Sequence, residues 1–395
     1  MNKPQHGASN WIGQRLVREE DEQFLTGTGC FTDDIQVSNA AHAYFVRSPH
    51  AHALIMSIET SACRAVPGVL AVLTADDLQS VLSGPIPSMN DVAPFDIRNR
   101  DGAMVPDGSQ PVLANQIVRY VGESVAVVVA RTAAIAREAS ELVDVEYEPR
   151  HPTMSYDAAV AADAQPVWEN LKSNRTLDWT NGREAQCQEL FNAAAHVVEC
   201  QLTNNRIAPC FLEPRAAIAS YDAAREKYRL DAGCQGVHGL QAGLAALLDI
   251  EPSSIRVVAP DTGGGFGARG SLYPEYAPLL VAARQLGQPV RWTSDRSEGF
   301  LTDLQARDHT LHGELALDSD GNFLALRVRV DWRHGAYFGS RNVWVITSFL
   351  PPTVGGVYRI PTAAIAIRGA FTNTTPQAAF RGIGRVEANF LLERL

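Results

Sequence analysis

The stretch IRVVAPDTGGGFGARGSLYPEYAPLLVAARQLGQPVRWTSD, from Ile255 to Asp295, decides the reading of this chain. Its β-branched start (Ile255, Val257, Val258) reads as a short strand that stops at Pro260. Gly263, Gly264, Gly265 and Gly267 follow, with Phe266 set among them. From Tyr276 to Leu286 the apolar residues Leu279, Leu280, Ala283 and Leu286 recur at helical spacing, and Gly287 is placed to end that helix. Val290 to Thr293 reads as a second strand. The order is strand, glycine loop, helix, strand.

Glycines let a backbone turn sharply and let a ligand approach its N–H groups with no Cβ in the way. Three readings of the loop follow. It is a tight turn needing several positive φ angles, or a dinucleotide loop, or a loop pressed against a larger anionic cofactor. The dinucleotide reading rests on Gly265-x-Gly267-x-x-Gly270 and on Asp295, which lies ~20–25 residues on at a strand end. Pro274 and Pro278 near the helix start weigh against it.

Bulk properties narrow the classes. The chain has 395 residues and a formal charge of −10, so a phosphate-backbone binder, normally basic, is not expected. Six cysteines (Cys30, Cys63, Cys187, Cys200, Cys210, Cys234) form no CxxC pair and read as free cytoplasmic thiols. No secretory signal or run of ~18 apolar residues is visible, so no membrane span is expected.

Taken in order, residues 1–19 read as a polar arm. Residues 20–150 read as a self-contained α+β unit, with strands at Ala41–Arg47, Ala53–Ile58, Val69–Leu73, Ser124–Ala130 and Val143–Tyr147. Within it, Ser80–Pro111 has no period and reads as one long loop. Residues 151–190 read as a linker with short helices. From 191 to 395 strands are expected at Ala195–Asn204, Ala216–Tyr221 and Tyr228–Ala232, and a hairpin around Asp318–Gly321. Val343–Pro361 is apolar and broken by Pro and Gly. The apolar helix at the C-terminus has no cap, so either a partner completes it or the chain is part of something longer.

Three glycine-bearing corners stand out: GCQGVHG (Gly233–Gly239), DTGGGFGARG (Asp261–Gly270) and AFRGIGR (Ala379–Arg385). In this order and spacing they resemble the large, molybdopterin-binding subunit of the xanthine dehydrogenase and aldehyde oxidase family of molybdenum hydroxylases. Asn204–Ala219, NNRIAPCFLEPRAAIA, is similar to that family's R-x-x-P-x-x-x-EPR loop, and Trp11 through Asp34 to its N-terminal segment. The resemblance implies an α+β fold: an α/β hammerhead domain over 20–150, then the first molybdopterin-binding domain over 191–395. It also implies molybdenum-molybdopterin, with cytosine dinucleotide as the expected form.

By the same resemblance Gln235 hydrogen-bonds an oxygen ligand of the metal. Gly264, Gly265, Phe266 and Gly267 approach metal and pterin, and Arg381 with Gly382 lies beside the cofactor. A neutral amide donates to a metal-bound oxygen without adding charge, and an arginine offsets the cofactor's anionic charge with a planar fork. The substrate-side positions are Gly270, Phe349 and Ile383, and each departs from the purine-binding pattern. Gly382, where carbon monoxide enzymes carry a copper-binding cysteine, argues against copper chemistry. Trp344 and Phe338 are further candidates for an apolar funnel with Phe349. The expected reaction inserts a water-derived oxygen into an electron-poor C–H of an N-heteroaromatic or aldehyde, with electrons leaving through 2Fe–2S clusters and FAD on partner subunits. The family's catalytic glutamate lies in a second half that this chain lacks. Glu213, Glu275 and Glu387 do not match it, so a second polypeptide is expected to supply it. A truncated or non-catalytic fragment is the alternative.

Overall fold

The computed structural model describes residues 12–13, 15–88, 97–339 and 342–395. Trp11, most of the expected arm and part of the Ser80–Pro111 loop lie outside the described residues.

The largest sheet has seven strands, in the order Ile255–Val258, Lys227–Ala232, Ala216–Asp222, Val290–Thr293, Ala41–Arg47, Ser124–Ala130, Val69–Thr74. Ser124–Ala130 is SVAVVVA and buried along its whole length because both its faces are covered. Val127 and Val129 face the core that holds helix Tyr276–Leu286. Ala126 and Val128 face Cys63 and Ala139.

The first 150 residues are therefore not self-contained. Their sheet joins the later part of the chain through parallel pairing of Ala41 with Val290 and His42 with Arg291. Period-2 reading finds strands but does not say which neighbour a strand takes, and here the neighbour lies some 250 residues away. A smaller three-stranded sheet, Ile117–Val118, Ala53–Glu59 and Asp144–Pro149, stays within the first 150 residues.

A five-stranded sheet runs Arg175–Gly182, Thr362–Phe371, Phe323–Gly335, His309–Leu317, His196–Asn204. The Asp318–Gly321 hairpin forms as expected. The Asp318 side chain accepts N–H bonds from Asp320 and Asn322, and Gly321 takes φ +82°. The expected linker is not one. It contains Arg175–Gly182, which pairs antiparallel with Thr362–Phe371, and helix Glu184–Ala193. Arg175–Gly182 is an edge strand rich in Asp, Thr, Asn and Gly, residues that hide a strand from propensity. Val343–Pro361 opens with a helix, Asn342–Phe349, despite four β-branched residues. Burial of most of its side chains outweighs their poor helix propensity.

One buried charge cluster ties both parts together. The Arg215 guanidinium, with no exposed surface, donates to Glu275 at 2.6 Å, to Asp303 at 2.5 Å and to Thr302 at 2.8 Å. It lies 4.0 Å from the centre of the Tyr273 ring. Arg47 reaches Glu275 from the N-terminal segment at 2.9 Å. Burial alone would raise the Glu275 carboxyl, but Arg215 and Arg47 outweigh it and hold it at about 2. A carboxyl lowered on folding adds stability above its unfolded pKa, and that contribution is lost as pH falls toward 2.

Glu123 is the opposite case. Burial pushes it up to about 7, and hydrogen bonds from Tyr337 (2.5 Å) and the Arg119 amide (2.6 Å) offset this only in part. A carboxyl raised on folding binds its proton more tightly folded than unfolded, so stability falls as pH rises from the ordinary carboxylate range through 7. Glu123→Gln keeps an acceptor for the Arg119 amide, turns its NH2 toward the Tyr337 hydroxyl, which then accepts, and cannot ionise. It is expected to flatten the decline in melting temperature between pH 5 and pH 8; an unchanged slope rules the assignment out.

Candidate active site

The three glycine corners meet in space, and the sequence explains how each is held. Gln235 follows strand Lys227–Ala232 and precedes helix Val237–Leu247. Its amide N–H donates to the Arg269 carbonyl at 3.0 Å, and its side-chain Oε1 accepts from the Gly267 N–H at 2.6 Å. The Nε2 of Gln235 has no partner among the described residues. Gly265 is glycine for a reason outside its own backbone: a Cβ there would stand 2.5 Å from the Gln235 carboxamide carbon.

Gly267 links the loop to the third corner. It takes φ +98°, and a Cβ there would meet the Ala379 carbonyl oxygen at 2.8 Å. Gly264 (φ +109°) and Gly382 (φ +74°) also need the left-handed region. Phe266 occupies it without being glycine (φ +49°) and is 40% exposed. Its ring stacks on Phe211 at 6.0 Å and lies 6.1 Å from Phe380. Its positive φ is held by these two ring contacts while one face of the ring stays open.

The EPR segment braces the loop from behind. Glu213 Oε2 accepts from the Gly263 N–H at 2.8 Å and from Arg269 Nη1 at 2.5 Å, and Arg269 Nη2 donates to the Glu213 carbonyl. The Arg269 side chain is 1% exposed and lies over Phe211. Glu213, Glu275 and Glu387 are all occupied by arginines, at Arg269, Arg215 and Arg307 respectively.

Arg381 is exposed, and its carbonyl accepts from Arg307 Nη2 at 2.6 Å. Ile383 lines a cavity of about 20 Å3 with His309, Asn342, Ile346 and Glu387. That is roughly room for one water. Glu387 Oε2 and His309 Nδ1 are buried without a protein partner. Burial holds His309 down at about 4, so its ring is neutral near pH 7. Next to Ile383, a Cβ on Gly384 would stand 2.5 Å from the Phe349 carbonyl carbon, so the corner backbone passes close to Phe349. Phe349 also packs on Trp344 at 5.6 Å and under Arg385. Gly270 is exposed beside the Gln235 carbonyl. Phe338 does not belong to a funnel: it is 2% exposed and packs on His334 and Phe371.

The dinucleotide reading fails on topology. Strands Ile255–Val258 and Val290–Thr293 are separated by two others, and Val290–Thr293 runs antiparallel to Ala216–Asp222. The glycine loop leads into a 3-10 turn, Ala268–Gly270, not into the helix, and Asp295 caps the next helix by accepting from the Glu298 N–H. Nor does the Cys234 and His238 pair grow into a metal site: no group of three His, Cys, Asp or Glu with that geometry exists among the described residues.

Residues 167–395 match the molybdopterin cofactor-binding domain family. The chain belongs to that family. Residues 26–151 match the aldehyde oxidase and xanthine dehydrogenase a/b hammerhead domain, so the order is hammerhead domain, then molybdopterin-binding domain, as in the N-terminal half of the family's large subunit. The chain is 33% identical over 390 residues to the gamma subunit of the 6-hydroxypseudooxynicotine dehydrogenase complex of Paenarthrobacter nicotinovorans, covering 98% of this chain and 47% of that protein. The quinoline 2-oxidoreductase structure from Pseudomonas putida 86 superposes with a TM-score of 0.87 at 32% identity, over 98% of this chain and 48% of the other. The nicotinate dehydrogenase large molybdopterin subunit of Eubacterium barkeri is 26% identical, and there the match covers 83% of the relative. The chain otherwise spans about half the length of the curated relatives it matches.

Glu213 and Gln235 were legible as motif members. The bracing roles of Arg269 and Arg307 were not, because neither sits at a position whose residue type announces a partner.

Proposed function

We propose that this chain is a working part of a molybdenum hydroxylase. The observation that carries the reading is Gln235, whose Oε1 is pinned by the Gly267 N–H while its Nε2 is left to donate elsewhere. The residues fit a molybdenum pterin on three counts. Gly265 presents backbone with no Cβ against Gln235, Phe266 is strained and half-exposed, and Arg381 offers an exposed cation. When bound, the molybdenum centre supplies the two-electron oxidation that places a water-derived oxygen on carbon.

In this reading Gln235, Gly264, Gly265, Phe266, Gly267, Arg381 and Gly382 hold the cofactor. Gln235 donates to an oxygen on the metal, and Arg381 offsets anionic charge. Phe349, Ile383 and Gly270 face the substrate. An N-heteroaromatic ring suits these apolar and small residues, and the names of the quinoline and nicotine relatives support it. Relatives named as carbon monoxide dehydrogenase are equally similar, at 34%. The Gly382 position, which offers no thiolate for copper, is the reason the heterocycle or an aldehyde is preferred.

The general base is assigned to a glutamate of a second chain, because Glu213, Glu275 and Glu387 are already committed to arginines. The Eubacterium barkeri subunit, most of which this chain matches, supports a divided large subunit. FAD and 2Fe–2S subunits complete the complex, and cytosine dinucleotide is the proposed pterin form. Six thiols with no disulfide among them agree with a cytoplasmic setting, and no described helix is long and apolar enough to cross a membrane.

Native mass spectrometry of the tagged chain from its own host is expected to give a complex containing a second large-subunit half, with molybdenum and a pterin that releases CMP on acid hydrolysis. The chain recovered alone and without molybdenum would sink the proposal.

A further inference from the structure

Among the described residues, Arg307 and Asp308 form a consecutive non-glycine pair with positive φ, at +67° and +68°. Positive φ is strained in a residue with a side chain, so the surroundings must hold both in place. They do so through two grips. Asp308 accepts from Arg206 at 2.7 Å and from Arg333 at 2.7 Å. Arg307, turned inward with a side chain 6% exposed, donates to Glu387 at 2.8 Å and to the Arg381 carbonyl at 2.6 Å, with its guanidinium 5.5 Å from the centre of the Phe380 ring.

One side chain thus holds three points of the AFRGIGR corner: the Phe380 ring, the Arg381 backbone and the start of the helix that carries Glu387. The Arg381 side chain itself is exposed, and the backbone held by Arg307 sets the Cα–Cβ direction from which it starts. Phe380 in turn lies beside Phe266 of the glycine loop. We infer that Arg307, locked by Glu387, is a positioning residue that aims Arg381 and Phe266 at the cofactor, and that the strained Arg307–Asp308 turn is kept for that aim. The inference rests on the proposed role of Arg381.

Arg307→Met alone leaves Glu387 buried and unpaired, which risks failure to fold. The decisive variant is Arg307→Met with Glu387→Leu. It removes both charges, and such replacements are often neutral for stability. Arg381→Ala is made alongside, each in the complex purified from its host. Three readouts are taken: melting temperature, molybdenum per complex, and the Mo(V) electron paramagnetic resonance signal of the reduced protein.

The expected result is a double variant that melts near wild type, with molybdenum content or turnover per molybdenum reduced about 10–100-fold and an altered Mo(V) signal. Arg307→Lys, which keeps charge but not the two-armed grip, should fall between. If Arg381→Ala lowers loading while the double variant keeps full loading and an unchanged signal, the positioning role is wrong. If Arg381→Ala itself changes nothing, the assignment of Arg381 to the cofactor fails first, and the inference with it.

Discussion

Gly265→Ala is expected to leave the protein folded and to cut turnover about a hundredfold, the scale set by losing one positioned hydrogen-bond donor at a reacting centre. The backbone at Gly265 is not in the left-handed region, so alanine fits its φ. The three atoms nearest the new Cβ all belong to the Gln235 side chain, whose carboxamide carbon lies 2.5 Å from it. That obstacle is the far end of a flexible, exposed side chain, so it swings away at little cost to stability. The bond from the Gly267 N–H is lost with it, worth about 1 kcal/mol. What goes is the amide's aim. Gln235→Ala should show the same loss, and the double variant should lose no more than either single one, because both remove one interaction. A Gly265→Ala enzyme with full turnover per molybdenum would show that the carboxamide does not act where the loop holds it.

Arg215→Met should be strongly destabilising, by about 3–5 kcal/mol near pH 7. It strips Glu275 (1% exposed) and Asp303 (6% exposed) of their shared cation, and leaves Arg47 as the remaining partner of Glu275. The sign of the pH dependence separates this from lost packing. With Arg215 gone, burial pushes the Glu275 carboxyl up against Arg47 alone, and protonating it removes buried charge. The deficit relative to wild type should therefore shrink as pH falls from 7 to 4 in paired denaturant titrations. A deficit below about 1 kcal/mol, or one that is flat with pH, contradicts it.

The sequence shows the fold where a local rule and the tertiary structure agree. Ile255–Val258, Tyr276–Leu286 and Val290–Thr293 appear where β-branching, helical spacing and a terminal glycine put them, and Gly287 does take φ +61°. It conceals structure where neighbours overrule composition. Arg175–Gly182 is a strand because Thr362–Phe371 offers it an edge, and Asn342–Phe349 is a helix because the surrounding core covers it. At the site, the glycines, Gln235 and Arg381 were visible as motifs. The contacts that join them were not: a hydrogen bond spanning 32 residues between Gln235 and Gly267, and another spanning 74 between Arg307 and Arg381, leave no mark on local spacing. The positive φ at Phe266, Arg307 and Asp308 is equally silent, because none of these residues is the glycine that usually signals it.

The shared seven-stranded sheet bears on how such proteins can be recombined. A crossover placed between the two family domains, at 152–166, looks like the natural seam for grafting one relative's hammerhead onto another's cofactor domain. That seam cuts sequence but not structure. The graft must still pair Ala41 with Val290 and seat Arg47 on Glu275, both across the graft. A chimera therefore inherits a buried strand edge and half an ion cluster from each parent. Parents compatible at those positions should give soluble hybrids, whereas parents that differ there leave Val290–Thr293 as an open edge, a template for aggregation.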